Sequence, residues 1–294
     1  MIEKWLDWCI GIKWVNKILE ESQKRLLGWG LGILWMYLAL RLALSPIVVL
    51  PDFLLGTTWA GSVILIAFSG IHCIATYGWV AAISLFWCST LIGWSAEAMS
   101  VKYGIPFGFY HYTERLGPMI MEVPIVIPLA WFMMIYPSLE TCRILLGSAI
   151  SEKPWQTILL AALLMTAWGL PMDPMMVSEG YWVWDVPGEF FGTPLLNYFG
   201  WFLISCLILG CFHWFPVHLF WYDTLDEQRS AQRTLLQKRL KKHKYFQALP
   251  ALIYLAMMVT YLPPSRMPYP ALSITAFFCM GIPGLIAVLL VFSS

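Results

Sequence analysis

Apolar residues run in long blocks along this chain, separated by short polar breaks. A bilayer's hydrocarbon core is about 30 Å thick and takes about 20 apolar residues as a helix, which sets the unit for reading each block. Residues 27–50 make one span, carrying a single charge at Arg41. Residues 53–96 hold no charged side chain, enough for two spans with a turn expected near Tyr77–Gly78. A fourth span follows Pro124 and closes before Arg143, and a fifth runs from Trp155 to Leu170. The sixth covers Leu195 to Phe215, the seventh residues 246–262 and the eighth residues 271–292. The expected fold is therefore all-α, a polytopic membrane helix bundle of about eight transmembrane helices, with residues 27–294 forming one transmembrane domain.

The first 26 residues follow a different rule. Glu3, Lys4, Asp7, Lys13 and Lys17 alternate with Trp5, Leu6, Trp8, Ile12, Val15 and Ile18, the apolar ones mostly three or four apart. That predicts an amphipathic helix lying at the membrane interface. Charges precede any long apolar core, so no cleavable signal is expected and the first span should direct insertion. Residues 223–244 read as a solvated basic cytosolic segment that meets anionic headgroups.

Two polar passages interrupt the pattern more deeply. One is EAMSVKYGIPFGFYHYTERLGPMIMEVPIVIPLAW, from Glu97 to Trp131, where Gly104, Pro106, Gly108, Gly117, Pro118 and Pro124 break any continuous helix. The other is DPMMVSEGYWVWDVPGEFFGTPLLNYFGW, from Asp173 to Trp201.

Composition agrees with the membrane reading and narrows the chemistry. Of 294 residues, 60% are hydrophobic and 12% charged, with a mean hydropathy of +0.70. A soluble domain is nearer a quarter charged. A net charge of +1 gives no reason to expect nucleic acid. The seven cysteines lie mostly within apolar runs without a C-x-x-C pair, as small buried residues do. Charge also orients the chain. With the N-terminus in the cytosol, the inner segments hold Lys4, Lys13, Lys17, Lys24, Arg25, Arg143, Lys153, Arg229, Arg233, Lys238, Arg239, Lys241, Lys242 and Lys244, which is 14 of the 18 basic residues. That is the positive-inside bias, and it puts both polar passages at the outer face.

At that face the carboxylates carry the candidate chemistry. Glu97 follows an uncharged span, a desolvated setting that suits a general acid. Asp173 stands before Pro174, where a break after the fifth span is expected. Alone it would read as a turn residue; paired with Glu97 it makes two carboxylates able to divide acid and base roles. Aromatic residues crowd the same two passages more than an interfacial belt requires, and their ring faces suit a carbocation. Arg41 is expected to neutralise a buried carboxylate. The five histidines are too scattered for a di-iron oxygenase, and no dinucleotide, P-loop or nucleophile-elbow motif is present. Asp223, Asp226 and Glu227 form a faint D-x-x-D-E cluster on the opposite face.

Four segments together resemble a known family: E-x6-G-x-P-F-G-x-Y-x-Y (Glu97 to Tyr112), V-P-x-x-I-P-x-x-W (Val123 to Trp131), M-D-P-M-M-V-x-x-G-Y-W-x-W (Met172 to Trp184) and G-x-F-F-G-x-P-L-x-N-Y-F-G-W (Gly188 to Trp201). The family is that of integral-membrane carotenoid biosynthesis hydratases, the CruF-type carotenoid 1,2-hydratases. One departure stands out: many relatives are expected to carry a further Asp in W-D-x-x-x-D-P, where this chain has Trp168–Gly169.

The resemblance implies addition of water to the terminal double bond of an acyclic carotenoid end group, with no redox cofactor or metal. Glu97 or Asp173 would protonate the alkene and the other would orient water, with Glu122, Glu179 and Asp185 in reserve. Phe107, Tyr110, Tyr112, Trp131, Trp182, Trp184, Phe191, Asn197 and Trp201 are the expected substrate-lining positions. The partners implied are the carotenoid itself, membrane lipids and a downstream carotenoid glycosyltransferase. A membrane prenyltransferase using the 223–227 cluster and a non-catalytic carotenoid or lipid carrier are the alternatives; a transporter lacks the internal repeat it would need.

Overall fold

Helices form where the long apolar runs lie. In the computed structural model, which describes residues 58–147, 154–214, 244–263 and 267–293, they are α1 (Thr58–Tyr77), α2 (Trp79–Tyr103), α3 (Val126–Leu146), α4 (Pro154–Ser178), α5 (Leu195–Trp214), α6 (Lys244–Thr260) and α7 (Ala271–Ser293). Among them α2, α3, α4, α5 and α7 are long and apolar enough to cross a membrane. The fold is an all-α membrane helix bundle, and the turn at Gly78 between α1 and α2 falls where the sequence places it. The N-terminal amphipathic segment, the first span with Arg41, and the basic segment up to residue 243 lie outside the described residues. The described residues all belong to one compact unit that begins at Leu50.

The core sits around α3. This helix packs against α1, α2, α4, α6 and α7, so nearly every side chain from Trp131 to Cys142 is buried. A stretch buried on every side has no lipid-facing stripe. By contrast α2 turns Ile83, Trp87 and Leu91 outward, one turn apart, as a lipid-facing surface requires.

Two element boundaries differ from the sequence reading. The fifth span does not break at Asp173: α4 continues through Pro171 and Pro174 to Ser178, so Asp173 lies within the helix. Both prolines are buried against neighbouring helices, and packed membrane helices tolerate the donors that proline removes. Likewise α2 runs past Glu97 to Tyr103 and stops at Gly104, whose φ of 73° lets its N–H bond back to Ser100 O.

Beyond the helix ends, the two polar passages join. Strand β1 (Tyr110–Tyr112) pairs antiparallel with β4 (Trp182–Trp184), in the register Tyr110–Trp184 and Tyr112–Trp182. Between them in sequence lie a 3-10 turn at Glu114–Leu116 and a small hairpin of β2 (Met119–Ile120) with β3 (Val123–Pro124). Thr113 Oγ1 donates to Gly180 O at 2.7 Å, and Arg115 reaches Glu179 O, fastening the first passage to the end of α4. Phe191 meets Tyr269 at the same end, with ring centroids 4.9 Å apart. The opposite end is tied by Arg143, Glu140 and Tyr77, by Trp155 against Trp214, and by Lys244 on Phe292 O.

Candidate active site

Glu97 is buried on α2, one helical turn after Gly93. A Cβ on Gly93 would stand 2.6 Å from the indole of Trp131, so only glycine admits that ring. Lying across this gap, Trp131 donates from Nε1 to Glu97 Oε1 at 3.0 Å. The other carboxyl oxygen faces β1. Alternate residues of a strand share a face, and Tyr110 and Tyr112 both send their hydroxyls to Glu97 Oε2, Tyr112 at 2.8 Å. Burial, and then the adjacent Glu97, push both phenols well above their ordinary range, which keeps them neutral donors.

Asp173 is equally buried, on α4. Its Oδ2 accepts from Nδ2 of Asn197, which lies in the first turn of α5. The two carboxyl groups are near enough to act on each other electrostatically, and Tyr112 feels both.

Aromatic rings close the space around the pair. Trp184 packs on Tyr110 with centroids 4.8 Å apart, and Trp182 meets Tyr112 edge-on at 5.9 Å. Trp201 lies between Trp131 at 5.2 Å and Trp168 at 5.6 Å, while Phe107 stacks on Trp131 at 6.1 Å. Close approach of α5 depends on Gly200, where a Cβ would stand 2.6 Å from Phe107. At Gly169 a Cβ would already touch the Trp201 ring at 3.2 Å, so an aspartate there would need that ring to move.

Of the residues singled out from sequence, Glu97, Asp173, Phe107, Tyr110, Tyr112, Trp131, Trp182, Trp184, Asn197 and Trp201 therefore gather in one place. Four do not join them, the first being Glu179, exposed just past the end of α4. Glu122 is exposed in the tight β2–β3 turn, with φ at 64°. Asp185 is exposed and faces His111 at 3.4 Å. Phe191 packs on Phe190 and Tyr269. Tyr198 and Thr193 are named in no candidate role from the sequence; both are buried close to Asp173 or its neighbours, Tyr198 being a fixed position of the fourth family segment and Thr193 one of its open positions. Among the described residues no three His, Cys, Asp or Glu side chains converge as metal ligands would.

The fold and site define a polytopic membrane protein with a paired buried carboxyl centre under an aromatic cover. The chain belongs to the carotenoid biosynthesis protein family, which it matches over residues 57–264. A bisanhydrobacterioruberin hydratase of Haloarcula japonica is 31% identical to it over 115 residues. That alignment spans 39% of this chain and 39% of the relative, so well under two thirds of the relative's length is covered. No solved structure matches the chain.

Proposed function

We propose that this protein is a carotenoid hydratase adding water across the terminal C1=C2 double bond of an acyclic (ψ) end group, such as those of lycopene or γ-carotene. The observation that carries the reading is the convergence of Glu97 and Asp173, from different helices, beneath the Tyr110–Trp184 and Tyr112–Trp182 ladder. The hydratase name of the partial relative supports it.

The chemistry needs few parts. A carboxyl group delivers a proton to C2, and the π electrons leave a tertiary cation at C1. Aromatic faces stabilise that cation. The oxygen of water bonds to C1, and the oxonium passes its extra proton to the second carboxyl group. One water is added, and no electron is gained or lost. Three donors converge on Glu97, and they stabilise the carboxylate left when it has given up its proton. The substrate would arrive sideways from the bilayer. In this reading the site end of the bundle faces away from the cytosol, with the N-terminus cytosolic, the orientation that the charge bias favours.

The test is turnover by purified protein in detergent, with lycopene and water enriched in oxygen-18. Hydration gives a pigment heavier by one water that carries the label, with or without dioxygen. A pigment that is bound but unchanged would favour the carrier reading. A requirement for magnesium and a diphosphate co-substrate would favour the prenyltransferase.

A further inference from the structure

We infer that the attacking water is held on the Asp173 side of the site, in a polar corner that Asp173 shares with the hydroxyls of Tyr198 and Thr193. The inference rests on the hydratase reading above and assigns roles within it. A carboxylate offers about four acceptor positions. On Glu97 three of them are taken, by Tyr110, Tyr112 and Trp131. Asp173 accepts from Asn197 alone among the hydrogen bonds described. It keeps the capacity to accept from a water molecule.

The second observation is independent of that count. Tyr198 and Thr193 are 7% and 0% exposed, and among the described residues neither hydroxyl has a hydrogen-bonding partner of acceptable geometry. Buried hydroxyls are rarely left so, because nothing offsets their lost hydration. They approach each other, and Tyr198 also lies within electrostatic reach of Asp173. Tyr198 follows Asn197 on α5, while Thr193 is fixed just before that helix by paired backbone bonds to Phe190 at 3.1 and 2.9 Å. A buried water needs two to four polar partners. This corner supplies an acceptor in Asp173 and two hydroxyls that can donate or accept.

The division of labour follows. Glu97 gives its proton to C2 of the alkene. The water held by Asp173, Tyr198 and Thr193 forms its C–O bond to C1, and its surplus proton passes to Asp173. Tyr112, bonded to Glu97 and close to Asp173, offers the path by which that proton returns to Glu97. Each turnover thus ends with the carboxyl groups as they began.

Deuterium oxide separates the two half-reactions. A cation that is formed but not captured loses a proton from C2 or a terminal methyl, so recovered alkene gains deuterium without gaining water. Tyr198→Phe and Thr193→Val should each lower hydrated product by about tenfold, roughly one lost hydrogen bond to the reacting water. Deuterium in the recovered alkene should stay level or rise. Glu97→Gln should lose product and deuterium together. Full hydration by both variants overturns the inference. So does a parallel fall of product and deuterium in Tyr198→Phe and Thr193→Val preparations that match the unaltered protein in yield and thermal stability. If the unaltered chain neither hydrates nor exchanges, the hydratase reading itself fails.

Discussion

The indole nitrogen of Trp131 donates to Oε1 of Glu97 at 3.0 Å, linking the helix that follows the first polar passage to the helix that precedes it. A hydrogen bond to a charged group contributes about 1.5–3 kcal/mol. If Glu97 becomes a carboxylate during turnover, Trp131→Phe should slow hydration roughly ten- to a hundredfold, since each 1.4 kcal/mol is a factor of ten. The ring would still fill its place over Gly93. Rates measured beside yield and thermal unfolding in detergent check this, and an unchanged rate would leave the indole a packing role only.

Gly93 and Gly200 are points of helix contact where a Cβ would stand 2.6 Å from the Trp131 and Phe107 rings. Gly93→Ala and Gly200→Ala should each destabilise the bundle by about 1–3 kcal/mol, the usual penalty of overpacking. Thermal unfolding in one fixed detergent measures it. Gly192→Ala makes a poor control despite open space around it, because its φ of 86° strains any side chain. Gly70→Ala is the better one, having space and a helical backbone.

Asn197→Leu would remove the donor on Asp173 while keeping a similar volume. The carboxyl would then be buried without it, at about 1–3 kcal/mol. Hydrated product should fall more than tenfold, a larger loss than the drop in stability alone would give. Chromatographic product yield per milligram of folded protein is the measure.

The tyrosine pair carries a pH signature. Burial and Glu97 raise both phenols in the folded state, so their contribution to stability is complete below the unfolded value of about 10 and is lost as pH climbs through and above it. Thermal unfolding should therefore drop on the alkaline side of about pH 10, and Tyr110→Phe with Tyr112→Phe should flatten that drop. Equal slopes in both proteins would contradict the burial of the two hydroxyls.

Helix positions and the polar passages were readable because membrane spans need long apolar runs, and Gly104, Pro106 and Gly108 break one visibly. Asp173 shows where such reading fails. Pro174 signals a break locally, yet packing against neighbouring helices carries α4 about one turn further, and the carboxyl becomes part of a helix face rather than a loop. Pairing of Tyr110 with Trp184 was equally hidden, since three-residue strands 70 to 74 positions apart have no periodicity to detect. Alternation inside each strand does place Tyr110 and Tyr112 together. Glu122 and Asp185 share the composition of the site but not its place; only the turn geometry at Glu122 and the solvent exposure of Asp185 separate them from Glu97. Tyr198 and Thr193 became visible through their unsatisfied hydroxyls, a property no single residue type announces.

The most direct test of the central claim is a pigment profile by chromatography and mass spectrometry, from a host that accumulates lycopene or γ-carotene. The intact chain, Glu97→Gln and Asp173→Asn would be expressed to equal levels in its membranes. The expected result is a pigment heavier by one water with the intact chain and none with either variant. An intact chain that inserts in the membrane yet leaves the pigments unchanged would contradict hydration, and undiminished product from both variants would contradict the carboxyl pair.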